Sequence, residues 1–447
     1  MHKDQIEICA WTPPHNGWIR VYNGKEITEK KFIEDFRTVE RYKEYKDCGF
    51  DEMLFSRENK YVGEDYETSE LKMMLDTCYK SGVKAVVCDD RILVLTEKAK
   101  NSIVGELFDS ESELDAFLTD CVKDYKNHPA FSGVSVLDEP FYDKRLVMHQ
   151  IANAMKRVLP TATVHTCFNP LFCVDGGPMQ EVVLGPGKDS YDAFGNYIDA
   201  MSIPDLGYYL YDDYPFKFWE GLSLEPKYIK TMQFASRRIQ KNNLPFHMAL
   251  QSYTGNVVDR QGNPRKLDQA DFDWQANLAL GFGAKKVYYY TYWRFQTRGA
   301  LVRPDTAIMD DDGSKIYYDE VQRTNALIKR VFKYIYDLNY VSSQLLGDPT
   351  GNAALDEFVS EDLGFIKDYS VDAPVLVNRM SNGDKNAYMF FNCQDPVIKK
   401  INRVSITLLD EKYEYNLLVG GRKMSVAATN GKICLDLEPG EAVWILT

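Results

Sequence analysis

The stretch Gly133–Pro140, Gly-Val-Ser-Val-Leu-Asp-Glu-Pro, decides the fold of this chain. An apolar run that ends in two carboxylates and a proline is typical of a parallel strand buried on both faces. Because proline cannot continue a strand ladder, Asp138 and Glu139 are expected where the strand opens into a loop. In a (β/α)8 barrel that end of the strands carries the chemistry, so Glu139 is a catalytic candidate.

Seven more short apolar runs follow the same pattern, and segments of helical periodicity separate them. The eight runs are Ile6–Trp11, Glu52–Ser56, Lys84–Cys88, Gly133–Leu137, Thr163–Cys167, Tyr208–Tyr211, Phe246–Leu250 and Val287–Tyr292. Eight strands alternating with helices at a spacing of about 40 residues predict a (β/α)8 barrel over residues 1–340. The alternative is a doubly wound open sheet with extra strands.

The character of the sequence changes in residues 341–447. Alternating runs begin at Val375, directly after Pro374, and turn pairs such as Asn382-Gly383 separate them. The further runs are Ala387–Phe391, Val404–Leu408, Glu414–Leu418, Lys432–Leu437 and Ala442–Leu446. They predict a small all-β sandwich domain of roughly 70–90 residues. Residues 340–373 are expected to be a linker or to add a strand to that sandwich.

Composition limits the function classes. The 447 residues are 45% hydrophobic and 27% charged, and the net charge is −13. An acidic surface repels nucleic acid and anionic membranes, so neither is expected as a partner, whereas a neutral ligand is compatible with it.

Cysteine usage and the N-terminus bear on localisation. Nine cysteines, an odd and unpatterned set, favour reduced thiols in the cytoplasm. No signal-peptide core and no 18-residue apolar span is present, so a cytoplasmic protein is expected, or a secreted one if a leader was removed. The sequence leaves the oligomeric state open.

The strand ends are expected to form a barrel mouth with aromatic rings, carboxylates and amides but little positive charge. Aromatic faces stack on the C–H surfaces of sugars, and carboxylates and amides hydrogen-bond their hydroxyls, so a carbohydrate substrate is predicted. The candidate substrate-binding residues are Trp11, Asp90, Asn169, Tyr211, Tyr214, Gln251, Tyr253, Trp293 and Arg294. Alternatives remain: Trp11 and Trp293 could be core residues, and Tyr288–Tyr290 should alternate between the barrel interior and the helix layer.

Other chemistries lack their signatures. The six histidines show no paired spacing, so no metal is predicted. No lysine stands at a predicted strand end, and Gly-x-Ser-x-Gly and phosphate-binding glycine loops are missing from the sequence, so no cofactor is predicted either.

Three segments carry a resemblance to a known family. His128-Pro129-Ala130-Phe131, followed by Leu137–Pro140, resembles the fourth-strand signature of clan A glycoside hydrolases, and Asp212–Phe216 resembles an Asp-x-Tyr-Pro element of their sixth strand. Asp312-Gly313 and the helix after it resemble the segment that leaves the barrel in relatives with a C-terminal β-domain. The resemblance implies a two-domain glycosidase that cleaves an oligosaccharide or glycoside, with Glu139 as general acid/base. The like charge of Asp138 should help to keep Glu139 protonated near neutral pH.

One departure from the family pattern leaves the second carboxylate open. Clan A places a nucleophilic glutamate at the end of the seventh strand, where this chain has Gln251, and glutamine cannot attack an anomeric carbon. Asp212 is the first choice for the second carboxylate and Asp213 the fallback. Alternatively, Asp138 could orient a substrate acetamide, as in hexosaminidase-like enzymes, or a distant carboxylate such as Asp90 could hold a water in an inverting site.

Rival hypotheses follow from the same residues. A barrel that binds carbohydrate without catalysis would explain Gln251. A lyase or isomerase acting on sugar acids would need a basic cluster, for which Arg91 and Arg294 are thin support. Glu139 could pair with an arginine in a loop, and Asp212-Asp213 could be a polar turn.

Overall fold

The structure is a computed structural model. It describes residues 4–23, 26–171, 180–216, 223–253, 257, 259, 265–294 and 307–447, except for the side chains of 19–23, 26–28 and 58. Within these ranges no helix has both the length and the apolar character needed to cross a membrane.

The part of the chain up to residue 335 alternates strands and helices. In chain order the elements are β1 (Glu7–Trp11), β2 (Trp18–Asn23), β3 (Glu26–Phe32), α1 (Val39–Asp47), β4 (Glu52–Leu54), α2 (Glu70–Ser81), β5 (Lys84–Cys88), α3 (Asp90–Lys98), α4 (Glu111–Val122), β6 (Phe131–Asp138), α5 (Arg145–Val158), β7 (Thr163–Cys167), α6 (Gln180–Leu184), α7 (Ser190–Met201), β8 (Tyr209–Asp212), α8 (Tyr228–Lys241), β9 (Phe246–Gln251), α9 (Gln269–Gly281), β10 (Lys286–Tyr290) and α10 (Tyr318–Ile335).

Eight of these strands form one parallel sheet in the order β7-β6-β5-β4-β1-β10-β9-β8. The two edge strands approach each other beyond β7, where the Phe168 amide donates to the Leu210 carbonyl at 3.1 Å, so the sheet nearly closes. This confirms the predicted (β/α)8 barrel. The carboxyl ends of all eight strands therefore meet at one mouth.

Local sequence signals determine where the helices begin and end between the strands. Ser69 and Ser110 accept hydrogen bonds from the backbone amides of Lys72 and Glu113 and so begin α2 and α4. Gly82 ends α2 at φ 69°, a left-handed conformation that glycine adopts without a steric penalty. Val86 and Val87, neighbours in β5 that point to opposite faces, are both buried, as a strand covered on both faces requires.

The rest of the chain is all β. Its strands are β11 (Asn339–Leu346), β12 (Ile366–Val371), β13 (Val375–Ser381), β14 (Asn386–Asn392), β15 (Asn402–Leu408), β16 (Glu414–Val419), β17 (Arg422–Ala427), β18 (Lys432–Leu437) and β19 (Ala442–Leu446). They form a six-stranded sheet, β11-β13-β14-β19-β16-β17, and a three-stranded sheet, β12-β15-β18. An apolar core that includes Val377, Phe390 and Ile406 lies between the sheets, which confirms the predicted all-β domain.

The six-stranded sheet packs on the barrel. Trp444 of β19 is fully buried and belongs to the same continuous core as the barrel strands and helices. Trp274 of α9 contacts Phe391 of β14 with their ring centroids 5.9 Å apart, and the Asn277 side-chain amide donates to the Gly440 carbonyl at 2.9 Å. Burial of Trp444 and its neighbours contributes several kcal/mol at about 25 cal/mol per Å².

Candidate active site

The loop after β6 presents Glu139 at the mouth. Glu139 has φ 45°, in the left-handed region that non-glycine residues rarely adopt, and its amide donates to the Cys167 carbonyl at 2.9 Å. The side-chain amide of Asn169 donates to the carbonyls of Glu139 and Pro140 at 2.9 and 3.0 Å. These bonds hold a strained backbone in place, a condition that is common at functional sites.

Asp212 ends β8 on the other side of β7. Its side chain is only 9% exposed, and one carboxyl oxygen, Oδ1, is buried without a hydrogen-bond partner. Buried polar atoms are nearly always paired, so an unpaired one needs an explanation, such as a role towards a ligand.

A single strand separates the two carboxylates. Asp138 lies opposite Cys167 in the β6–β7 register, and the next residue, Phe168, bridges to Tyr211 of β8. Because neighbouring strands lie ~4.8 Å apart, the ends of β6 and β8 are separated by about 10 Å of backbone. Side chains that face each other across this gap leave room for a sugar ring or a water between them.

The charge interactions among the three carboxyls indicate that they lie close to one another. Burial, reinforced by the charges of Asp212 and Asp138, raises the pKa of Glu139 to about 8. Burial also raises the pKa of Asp212, to about 7. Hydrogen bonding from Tyr214 lowers this pKa, and the charge of Asp138 raises it. Asp138 is raised to a pKa of about 6 by burial, against the opposing effect of Arg57.

Asp138 and Glu139 are exposed as residues, but protein atoms crowd their carboxyl groups. Because the pKa is about 8 for Glu139 and about 6 for Asp138, the site holds at least one protonated and one ionised carboxyl group near neutral pH. Neighbouring carboxyls with pKa values pushed apart are the arrangement required for acid–base chemistry.

An aromatic wall stands beside the carboxylates. The rings of Tyr214 and Tyr290 stack with centroids 5.9 Å apart, and Tyr253 and Trp11 contact Tyr290 edge-on at 5.6 and 6.0 Å. The pKa of Tyr290 is raised by burial and by the charges of Tyr253 and of all three carboxyls, so its hydroxyl faces them.

Tyr290 lies at the mouth, whereas the sequence predicted only that Tyr288–Tyr290 alternate between the barrel interior and the helix layer. Tyr288 does face the barrel interior, and Tyr289 contacts Phe50 on the helix side. Alternation places Tyr290 on the same face as Tyr288 but one step closer to the mouth, a signal that could have identified it.

Asp213 and Tyr211 lie on the opposite side of β8 from Asp212. The Tyr211 hydroxyl donates to Asp213 at 2.8 Å, the Tyr214 amide donates to the same carboxylate at 2.9 Å, and the Tyr211 ring packs against Phe194 of α7. Consecutive strand residues point to opposite faces, so only one of the two aspartates can face the mouth.

Gln251 is buried and fully engaged by the backbone. Its side-chain oxygen accepts from the Phe216 amide at 3.0 Å, and its side-chain nitrogen donates to the carbonyls of Phe216 and Tyr253 at 2.8 and 3.2 Å. In this conformation it fixes the loop after β8. Asn169 is likewise buried and braces the Glu139 loop.

The remaining candidates are occupied elsewhere. Trp293 is fully buried, with its ring centroid 4.9 Å from that of Phe36. Asp90 forms an ion pair with Lys60 at 2.8 Å, and Arg294 forms one with Asp310 at 2.9 Å. The part of the chain that the structure describes contains no group of three or more His, Cys, Asp or Glu side chains placed to hold a metal ion.

Comparisons with known proteins bear on the fold. No family model matches the chain, and no curated protein matches it. Among solved structures, it is similar to a glycoside hydrolase with a TM-score of 0.52 at 10% identity, covering 99% of this chain and 92% of that one. It is also similar to a family 5 glycoside hydrolase from Bacteroides vulgatus, with a TM-score of 0.52 at 10% identity and coverage of 99% and 89%.

At this identity the similarity shows the fold. The chain shares its fold, a (β/α)8 barrel followed by an all-β domain, with these two glycoside hydrolases. The resemblance predicted from the fourth-strand motif is confirmed at that level.

Proposed function

We propose that the protein is a glycoside hydrolase that cleaves an oligosaccharide or glycoside, with Glu139 as general acid/base and Asp212 as the second carboxylate. The observation that carries the proposal is the position of Glu139 and Asp212 at the strand ends on either side of β7, in a mouth whose other wall is aromatic. The hydrolase fold of the structural neighbours is consistent with it.

In the proposed reaction, protonated Glu139 donates its proton to the glycosidic oxygen as the bond from that oxygen to the anomeric carbon breaks. Ionised Asp212 either attacks the anomeric carbon or takes a proton from an attacking water. The raised pKa of Glu139 supplies the proton near neutral pH. Asn169 would act only through the backbone of the Glu139 loop, as a positioning residue.

The proposal is tested with a panel of nitrophenyl glycosides and natural oligosaccharides, assayed with the wild type and with Glu139→Gln. Hydrolysis of at least one substrate that depends on Glu139 supports it, and proton NMR of the first product then distinguishes retention from inversion. If the wild type bound sugars but hydrolysed none of them, the barrel would be a carbohydrate-binding protein without catalysis.

Asp138 gives a second candidate mechanism for the same activity. Its charge raises the pKa of both Glu139 and Asp212, so it lies close to both carboxyls. In a substrate-assisted reaction Asp138 would orient an acetamido group that attacks the anomeric carbon. Strong preference for N-acetylhexosaminides over the matching hexosides, together with loss of activity in Asp138→Asn, would favour this mechanism over direct participation of Asp212.

A further inference from the structure

The hairpin formed by β2 and β3 exposes an aromatic pair. Trp18 and Phe32 lie opposite each other in the strand register, their ring centroids are 5.4 Å apart, and they are 57% and 50% exposed. Glu29, Lys30 and Lys31, which precede Phe32 along β3, are exposed as well. The two rings are therefore a small apolar surface bordered by charged side chains.

The hairpin is fixed to the rim of the mouth. It follows β1, whose last residue, Trp11, contacts Tyr290 of the aromatic wall. At its base the Ile33 amide donates to the Gly17 carbonyl at 2.8 Å. Gly17 has φ 80°, and a Cβ there would lie 2.0 Å from the Glu34 carbonyl oxygen, so only glycine allows this close approach.

The base also contacts the segment beyond β10. The His15 ring lies 5.5 Å from that of Trp293 and hydrogen-bonds the Asp311 carbonyl at 3.1 Å. Trp18 and Phe32 form the hairpin pair next to this base. The base of the hairpin, next to the two rings, is consequently held by the barrel.

The size and chemistry of the pair restrict what it can bind. Two aromatic side chains that are about half exposed offer roughly 200 Å², far below the ~800 Å² per partner of a stable protein interface. Flat rings with a charged border suit the C–H face of a sugar ring, which is apolar in the centre and carries hydroxyls at its edge. A net charge of −13 favours a neutral chain over an anionic one.

We infer that the Trp18–Phe32 pair is a stacking platform for a neutral polysaccharide chain that extends out of the barrel mouth. The inference rests on the proposed glycosidase function and makes it more specific: the substrate is a polymer, and a second binding position lies beyond the three carboxylates. The platform contributes to binding only, and no chemical step takes place on it.

Affinity electrophoresis in gels that contain hydroxyethylcellulose, xylan or soluble starch tests the platform. All proteins carry Glu139→Gln so that the polymer stays intact. We expect retardation by at least one polymer and about a tenfold loss of affinity when Trp18→Ala and Phe32→Ala are combined. Trp18→Phe, which keeps a ring, should retain most of the affinity.

Tyr413→Ala is the matched control, because Tyr413 is 84% exposed but belongs to the C-terminal domain. It should bind like the parent protein. Absence of retardation in all three gels, unchanged affinity of the double variant, or an equal loss in Tyr413→Ala would overturn the inference.

Kinetics separate this inference from the proposed function. With Glu139 present, the double substitution should lower kcat/KM on the polymer about tenfold relative to kcat/KM on a nitrophenyl glycoside. Polymer binding through the two rings without any hydrolysis would contradict the proposed function and leave the platform standing. Hydrolysis with an unchanged ratio would contradict the platform and leave the function standing.

Discussion

The two ends of the barrel shift the pKa values of their acids in opposite directions. At the amino end, Glu52 is 3% exposed and pairs with the ammonium group of Lys286 at 2.6 Å, while Glu7 binds the same ammonium at 2.8 Å. Burial acts to raise the pKa of Glu52, but Lys286 more than offsets this and lowers it. At the carboxyl end, burial raises the pKa values of Glu139 and Asp212, and the charge of Asp138 raises both further.

The difference separates an ion pair that stabilises the fold from carboxyls with the protonation that the proposed reaction requires. An acid that is paired with a lysine keeps its charge at every physiological pH, so it stabilises the folded state. Acids held together without a cation keep a proton that is available for transfer.

Substitution of Glu139 should have the largest effect. Glu139→Gln keeps the shape of the side chain and removes the proton donor, so turnover of a substrate with a poor leaving group should fall about 100- to 10,000-fold. Steady-state kinetics measure the effect, with Glu40→Gln, an exposed glutamate of α1, as the control. Near-wild-type turnover of E139Q would mean that Glu139 is not the acid.

The two aspartates of β8 should differ from each other. Asp212→Asn removes the carboxylate that faces the mouth and should lower kcat by about 100-fold or more. Asp213→Asn changes a carboxylate that accepts from the Tyr211 hydroxyl on the far face, so we expect lower stability and much smaller kinetic losses. The same kinetic assay on both variants decides this, and equal losses would remove the distinction between the two faces.

At the amino end the effect should be on stability. Lys286→Met leaves Glu52 buried and charged without its partner, so we expect the free energy of unfolding to fall by about 3–5 kcal/mol. Urea denaturation measures it. Combining Lys286→Met with Glu52→Gln should recover a large part of the loss, and a single variant as stable as the wild type would show that the pair is dispensable.

The smallest expected effect is on the pH dependence of stability, and it contrasts Glu139 with Glu52 directly. The pKa of Glu139 is raised from 4.5 to about 8 by folding, so its contribution favours the folded state below pH 4.5 and is lost as the pH rises towards 8. The pKa of Glu52 is lowered, so its contribution is present above pH 4.5 and is lost as the pH falls through the folded pKa.

Tm measured at pH 5 and pH 8 tests this contrast. Glu139→Gln should raise Tm relative to the wild type more at pH 8 than at pH 5, whereas Glu52→Gln should lower it at both. A Tm difference for E139Q that does not change with pH would argue that Glu139 ionises normally in the folded state.

Much of the fold could be predicted from the sequence because burial leaves a local trace. The runs Lys84–Cys88, Thr163–Cys167, Lys432–Leu437 and Ala442–Leu446 match strands residue for residue. Strand β17 was missed because nearly all of its side chains are exposed and carry no alternation, and the β2–β3 hairpin was missed as well. Residues 340–373, expected as a linker or an added strand, contain nearly all of β11 and all of β12.

The candidate site was harder to predict because its details depend on contacts between distant residues. The sequence placed Glu139, Asp212 and Trp11 at strand ends, and the structure puts all three strand ends at the mouth. It could not tell which of Asp212 and Asp213 faces inward, because alternation gives opposite faces but not which face is which. The hydrogen bond from the Gln251 side chain to the Phe216 carbonyl joins residues that are 35 positions apart, so no local pattern predicts it.

The position of β19 has a consequence for synthesis of the protein. Residues 442–446 come last in the sequence, yet β19 lies between β14 and β16 in the middle of the six-stranded sheet and carries Trp444 into the shared core. On the ribosome the whole barrel is synthesised long before this strand emerges. The apolar face of α9 that packs on the sheet therefore stays exposed during that time. Chains truncated before residue 442 would therefore lose a central strand of the sheet and expose that face of α9 to chaperones and proteases.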